Sequence, residues 1–175
     1  MVKVISVQAE YLKRNIHLHI GIAPTKNLDR FEWFLEKATE IGIDEITPVF
    51  SAHSERIRIK TDRLQKIIVS AMKQSLKAYL PKLNEPAAMK LILSDDYPGQ
   101  KFIGYCETGE EVELQKVYKK GSDALILIGP EGDFSSEEIE QAKKNGFIPI
   151  SLGKSRLRTE TAGIVACHTI TLLNS

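Results

Sequence analysis

Arg156, Arg158 and Glu160 occupy alternate positions in SLGKSRLRTETAG (residues 151–163), between a Leu-Gly turn and a run that soon becomes wholly apolar. Two neighbouring guanidinium groups can grip a phosphate or stabilise negative charge on an oxygen. The carboxylate can pair with either of them, so a structural ion-pair cluster is the competing reading. Two further loops share the same setting. CETGEE (106–111) and GPEGDFSS (129–136) each follow an apolar run of strand type. In open parallel sheets, ligands collect where such loops leave the carboxyl ends of strands. Gly109, Gly129, Gly132 and Gly153 would let backbone approach a ligand closely. Together the three loops predict a backbone-lined pocket for a small polar ligand, with tight structural turns as the alternative. No GxGxxG or Walker-type loop occurs, so neither a Rossmann dinucleotide site nor an NTPase is supported.

The elements that must position these loops follow from periodicity. NIHLHIGI (15–22) alternates like a strand, and EITPVF (45–50) is a second short β-type run. Between them lies an amphipathic helix with Phe31, Phe34, Leu35, Ala38 and Ile41 on one stripe, Asn27 as N-cap and Gly42 as the C′ glycine. This β-α-β order predicts a parallel sheet. A second helix is predicted from about Arg63 to Leu80, with Leu64, Ile67, Ile68, Ala71 and Ser75 inward and Pro81 as its stop. KFIGYC, ALILIG and FIPIS read as three more strands, and SSEEIEQAKKNG as a short capped helix. The closing TAGIVACHTITLL is apolar nearly all round and is predicted to be buried, in its own core or against another chain.

The totals set bounds. A chain of 175 residues, 42% hydrophobic and 27% charged with net charge +1, suits one α/β domain. It has no apolar run long enough for a membrane span and no signal-peptide core, and its two cysteines read as reduced core thiols, so the expectation is cytoplasmic. His17 and His19 share a strand face but lack partner ligands, so no metal site is assigned. From Arg56 to Lys82, eight basic residues face one acidic residue, Asp62. Such a block suggests a polyanion-facing patch, or a solvated helix face.

LIGPEGDFSSEEI together with SLGKSRLRTETA resembles the small-subunit ribosomal RNA uridine-N3 methyltransferase family, a branch of the SPOUT superfamily. EKATEIGIDEITPVFSAHSER and AMKQSLKAYLP are similar to that family's upstream stretches, in order, over about Asn15 to Leu173. The resemblance implies a parallel sheet flanked by helices and a C-terminal trefoil knot over about 124–175. It also implies a homodimer and S-adenosylmethionine as cofactor. Family members carry an N-terminal PUA-like β-barrel that binds RNA. The expectation here is that the barrel is missing, with residues 1–14 as its remnant or connector. Asp133 stands where glycine is commoner, and Lys73 and Lys77 replace Glu and Arg; at 77 the charge survives but the bidentate fork does not.

The implied reaction methylates N3 of a specific uridine in ribosomal RNA, or in the small ribosomal subunit. The weakly acidic N3 proton must leave, and the imide anion must be stabilised beside a sulfonium methyl group. By family analogy Arg158 is the first catalytic candidate. Glu131 is a candidate base, although a carboxylate between Pro130 and Gly132 more often bonds backbone amides. Glu160 is read as bracing the loop, with orientation of Arg158 as the alternative. The implied cofactor contacts are Glu107, Ile128, Gly129, Gly132, Ser151, Leu152, Gly153, Leu157 and Arg158. RNA would contact Arg56, Lys73, Gln74, Lys77 and Arg156. Two rival readings remain: a SPOUT enzyme acting on another RNA atom such as a ribose 2′-hydroxyl, and a barrel-less cofactor- or RNA-binding dimer without turnover.

Overall fold

The computed structural model describes residues 2–105 and 112–175. The elements in chain order are β1 (Leu18–Ile22), α1 (Leu28–Ile41), β2 (Glu45–Phe50), α2 (Thr61–Gln74), β3 (Lys82–Leu83), β4 (Ala87–Ala88), α3 (Met89–Leu93), β5 (Gln100–Gly104), β6 (Val112–Glu113), α4 (Leu114–Val117), β7 (Ala124–Ile128), α5 (Ser136–Lys144), β8 (Ile148–Ser151) and α6 (Thr159–Leu173). Seven strands lie in the order β3-β2-β1-β7-β5-β8-β6, with β4 also paired to β2, and every described pairing is parallel. This is the predicted α/β architecture of a parallel sheet flanked by helices.

The central strands read as continuous apolar runs because both sheet faces are covered. Leu18, Ile20 and Ile22 of β1, with Ala124, Ile126 and Ile128 of β7, pack on the side of α1, α2 and α6. Leu125 and Leu127 face the opposite layer with Met89, Leu93, Phe134 and Ile139 of and around α3 and α5. α1 begins as predicted. Asn27 accepts a hydrogen bond from the Asp29 amide, and Gly42 (φ 123°) closes the helix on the Ala38 carbonyl.

α2 ends six residues before the expected Leu80, and Pro81 is not its stop. The Ser75 hydroxyl donates back to the Ala71 carbonyl (2.7 Å), and Leu76 turns left-handed at φ 55°, which breaks the ladder at Gln74. The expectation for α6 is burial in its own core or against another chain. Within this chain one face is buried, through Thr159, Glu160, Gly163, Ala166, Cys167 and Ile170, whereas His168 and Leu172 are exposed. The contact with α1 is close enough that a Cβ on Gly163 would stand 2.6 Å from Phe34 Cε2 and 2.8 Å from Ile22 Cδ1.

Cys167 is a buried thiol pushed up to about 12 by burial, so it is chemically quiet, as its apolar setting suggested. Cys106 lies outside the described residues. The histidine pair is held by polar partners on β2. His17 Nε2 lies 2.9 Å from Glu45 Oε2, and His19 Nε2 lies 2.7 Å from Thr47 Oγ1. Burial alone would raise the Glu45 carboxyl, but hydrogen bonds from Lys82, Asn84 and His17 outweigh it and hold the group down to about 2.

Candidate active site

Because β5, β7 and β8 run parallel, their carboxyl ends share one edge of the sheet, and the loops that follow β7 and β8 converge there. They enclose a cleft of ≈ 540 Å³ lined by Gly104 and Tyr105, residues 128–131, Asp133, residues 150–158, and Thr159 and Ala162 of α6. Local chemistry explains each wall. Gly153 turns the chain at φ 127°, a conformation open to glycine, while the Ser151 hydroxyl donates to the Gly153 carbonyl and accepts from its amide. Asp133 adopts φ 59°, which Asp tolerates, and its side chain accepts from the Phe134 amide at 2.7 Å. Ser135 and Glu138 form a reciprocal capping box that starts α5. The Thr159 hydroxyl donates to the Gly129 carbonyl (3.0 Å), which pins the start of α6 to the loop after β7.

Most of the predicted residues meet here. Ile128, Gly129, Glu131, Ser151, Leu152, Gly153, Arg156, Leu157 and Arg158 all line the cleft. Leu152 and Leu157 are half-buried while Arg156 and Arg158 are exposed, so the same loop shows the cleft both apolar and cationic groups. Glu131 uses Oε1 to accept from the Lys26 amide (3.1 Å), the backbone role its flanking residues suggested.

Gly132, Arg56 and the α2 group of Lys73, Gln74 and Lys77 are placed differently from the expectation. Gly132 faces away from the cleft. A Cβ there would meet His53 Cβ at 3.1 Å, and His53 Nδ1 donates to the Gly132 and Asp133 carbonyls at 3.0 and 3.1 Å. Arg56 is occupied within the fold, donating to the carbonyls of Thr25 (3.3 Å) and Lys26 (2.8 Å). Lys73, Gln74 and Lys77 lie at the other end of the sheet, since α2 runs antiparallel to the strands. Lys77 lines a separate ≈ 670 Å³ cavity with Arg14, His17, Asp44 and Asp123, residues before or at strand beginnings. Glu107 falls outside the described residues. Glu160 is buried, with Oε1 3.8 Å from Arg30 Nε, so it braces α6 against α1.

Residues that the sequence reading passed over complete the rim. Lys26, His53 and Thr159 each touch one of the glycine loops. Thr159 stands beside two arginines in the sequence, but the expected helix starts at Thr161, two residues later than the observed start. Lys26 and His53 gave no local signal, because only the sheet brings them to residues 129–133.

The chain matches the family model described as an RNA methyltransferase domain over residues 12–171. It is 35% identical over 159 residues to "Ribosomal RNA small subunit methyltransferase E" of Mesomycoplasma hyopneumoniae, covering 87% of this chain and 67% of that protein. The structure of a probable rRNA-methyltransferase from Porphyromonas gingivalis superposes with a TM-score of 0.87 at 48% identity, over 93% of this chain and 69% of that one. The Neisseria gonorrhoeae small subunit methyltransferase E, solved bound to S-adenosyl methionine, superposes with a TM-score of 0.78 at 28% identity, over 91% of this chain and 67% of that one. A cleft of two glycine loops with arginines at its mouth and a match spanning nearly the whole chain give one conclusion: this protein belongs to the RNA methyltransferase domain family.

Proposed function

We propose that the chain is an S-adenosylmethionine-dependent methyltransferase of small-subunit ribosomal RNA, acting on N3 of a uridine. The observation that carries this reading is the cleft itself, in which residues 128–131 and 150–158 converge beside Arg156 and Arg158. Its volume of ≈ 540 Å³ suits a single small ligand. A Cβ on Gly153 would meet nothing within 4 Å, so that backbone borders open space into which a cofactor fits. The apolar groups Ile128, Leu152 and Leu157 suit an adenine ring, and the backbone around Gly129 and Ser151 suits its polar edge. When bound there, the cofactor supplies an electrophilic methyl group.

The chain's own residues then do three things. Arg158 offers a guanidinium to a uracil oxygen and stabilises the anion left when the N3 proton departs. Glu131, fixed through Oε1 on the Lys26 amide, keeps its other oxygen for the departing proton. The Leu152 and Leu157 side chains narrow the cleft and displace water, which strengthens both electrostatic effects. The homodimer and the trefoil knot over about 124–175 belong to this same reading. The half-open face of α6, where Leu172 is 63% exposed, supports a partner there.

Calorimetric titration with S-adenosylmethionine tests the cofactor step, with binding near one per subunit expected for the native chain and loss in Gly153→Trp. Mass spectrometry of small-subunit RNA after incubation then locates the methyl group. A folded protein that binds no cofactor, or a methyl group on a ribose oxygen, would overturn the assignment.

A further inference from the structure

The geometry points to residues 56–60, which continue from the loop tied to residues 25–26 and 132–133 beside the cleft, as an RNA-docking ledge that holds the single strand flanking the target nucleotide; this rests on the function proposed above. The placement follows from three anchors. The chain leaves β2 on the same sheet edge as the cleft, and the Ala52 amide donates to Glu138 of α5 at 2.8 Å. His53 grips the carbonyls of residues 132 and 133, and Arg56 grips those of residues 25 and 26. Lys26 in turn donates its amide to Glu131, which lines the cleft. Beyond Arg56 the chain runs four residues to the start of α2, where Arg63 is paired with Glu32 of α1 at 2.6 Å. Ile59 packs against the core and fixes the middle of that run.

What projects from this anchored run is cationic. Arg58 and Lys60 are exposed and form no ion pair among the described residues, although Lys26 and Arg63 on either side are neutralised by Glu55 and Glu32. Ile57 stands between Arg56 and Arg58 and is 66% exposed, an apolar surface among charges. Exposed cations beside an exposed apolar side chain suit a ligand that carries both phosphate and exposed base. That is single-stranded RNA. Arg156, exposed where it lines the cleft, adds a cation with no ion pair among the described residues. Lys73 and Lys77 are poorly placed for this strand, because the length of α2, on the order of 20 Å, separates them from the ledge.

Fluorescence titration of a labelled uridine-rich single-stranded RNA, repeated across potassium chloride concentrations, tests the ledge on the full chain. Each phosphate contact on a single strand contributes about 0.7 to the salt slope. The double variant Arg58→Ala, Lys60→Ala is expected to lower the slope by about 1.4 and weaken binding about 25-fold at 0.1 M salt. Ile57→Ser is expected to weaken binding at every salt concentration while leaving the slope unchanged. The double variant Lys73→Ala, Lys77→Ala is expected to stay within about twofold of the native chain, and calorimetric cofactor binding to be unchanged in all three. An unchanged slope in the Arg58, Lys60 variant, or the large loss falling on Lys73 and Lys77 instead, would overturn the ledge even if methyl transfer to N3 is found. Loss of RNA affinity confined to Arg58 and Lys60 supports the ledge even if the methyl group is found on another atom.

Discussion

Acid should weaken this fold through His19 in a window where few other groups titrate. The side chain is buried at 8% exposure and faces Thr47, with Glu45, His17, Lys82, Asp95 and the Tyr97 ring around it. Burial pushes the imidazole from 6.5 down to about 4, against the opposing pull of Glu45. The folded state therefore refuses a proton that the unfolded chain accepts below pH 6.5. This contribution is fully present above pH 6.5 and is lost as pH falls towards 4. A gap of about 2.5 units sets a ceiling of about 3.4 kcal/mol, of which about 2.6 kcal/mol disappears by pH 4.5. Glu45, held down to about 2 by its three donors, gives up its own contribution only below pH 4.5. The interval from 4.5 to 6.5 thus isolates His19 from it. Against a typical total of 5–15 kcal/mol, the loss corresponds to a fall in Tm of about 5–10 °C. Urea unfolding followed by far-UV circular dichroism at several pH values would measure it. His19→Gln should remove the slope in this interval whatever it does to stability at pH 7. A native chain equally stable at pH 7.5 and 4.5, or a His19→Gln variant that keeps the slope, would refute the assignment.

Two other outcomes follow from the geometry. Gly163→Ala forces a methyl group to within 2.6 Å of Phe34 and should destabilise the chain by about 1–3 kcal/mol in urea unfolding, more than helix propensity would return. Arg158→Ala should lower methyl transfer at saturating cofactor by about 10²–10³, the usual effect of removing one group that stabilises a developing anion, and single-turnover assays on small-subunit RNA read this directly. An unchanged single-turnover rate would remove Arg158 from the chemistry.

Much of the site could be read from the chain because its determinants are local. The Asn27 cap, the Ser135 capping box and the turns at Gly42 and Gly153 depend on residues within a few positions of each other. The apolar strands announced a sheet covered on both faces, and the two glycine loops announced a cleft at its edge. Local pattern failed where a backbone contact overrode it. Leu64 to Ser75 keep helical periodicity, yet the Ser75 hydroxyl and left-handed Leu76 end α2 at Gln74. The basic block was also legible as a block, but not as two groups.

The sequence by itself determined which residues could do chemistry, since residue type, loop glycines and short-range caps are written along the chain. Only the tertiary structure decided which of them meet. Parallel β1, β2 and β7 carry residues 25–26, 53–56 and 129–133 to one edge, where Arg56 and one carboxylate oxygen of Glu131 tie the loops together. α2, running back antiparallel, carries Lys73 and Lys77 to the opposite edge. Charges twenty residues apart on the chain thereby end at opposite ends of the sheet, because a helix fixes its ends a full helix length apart.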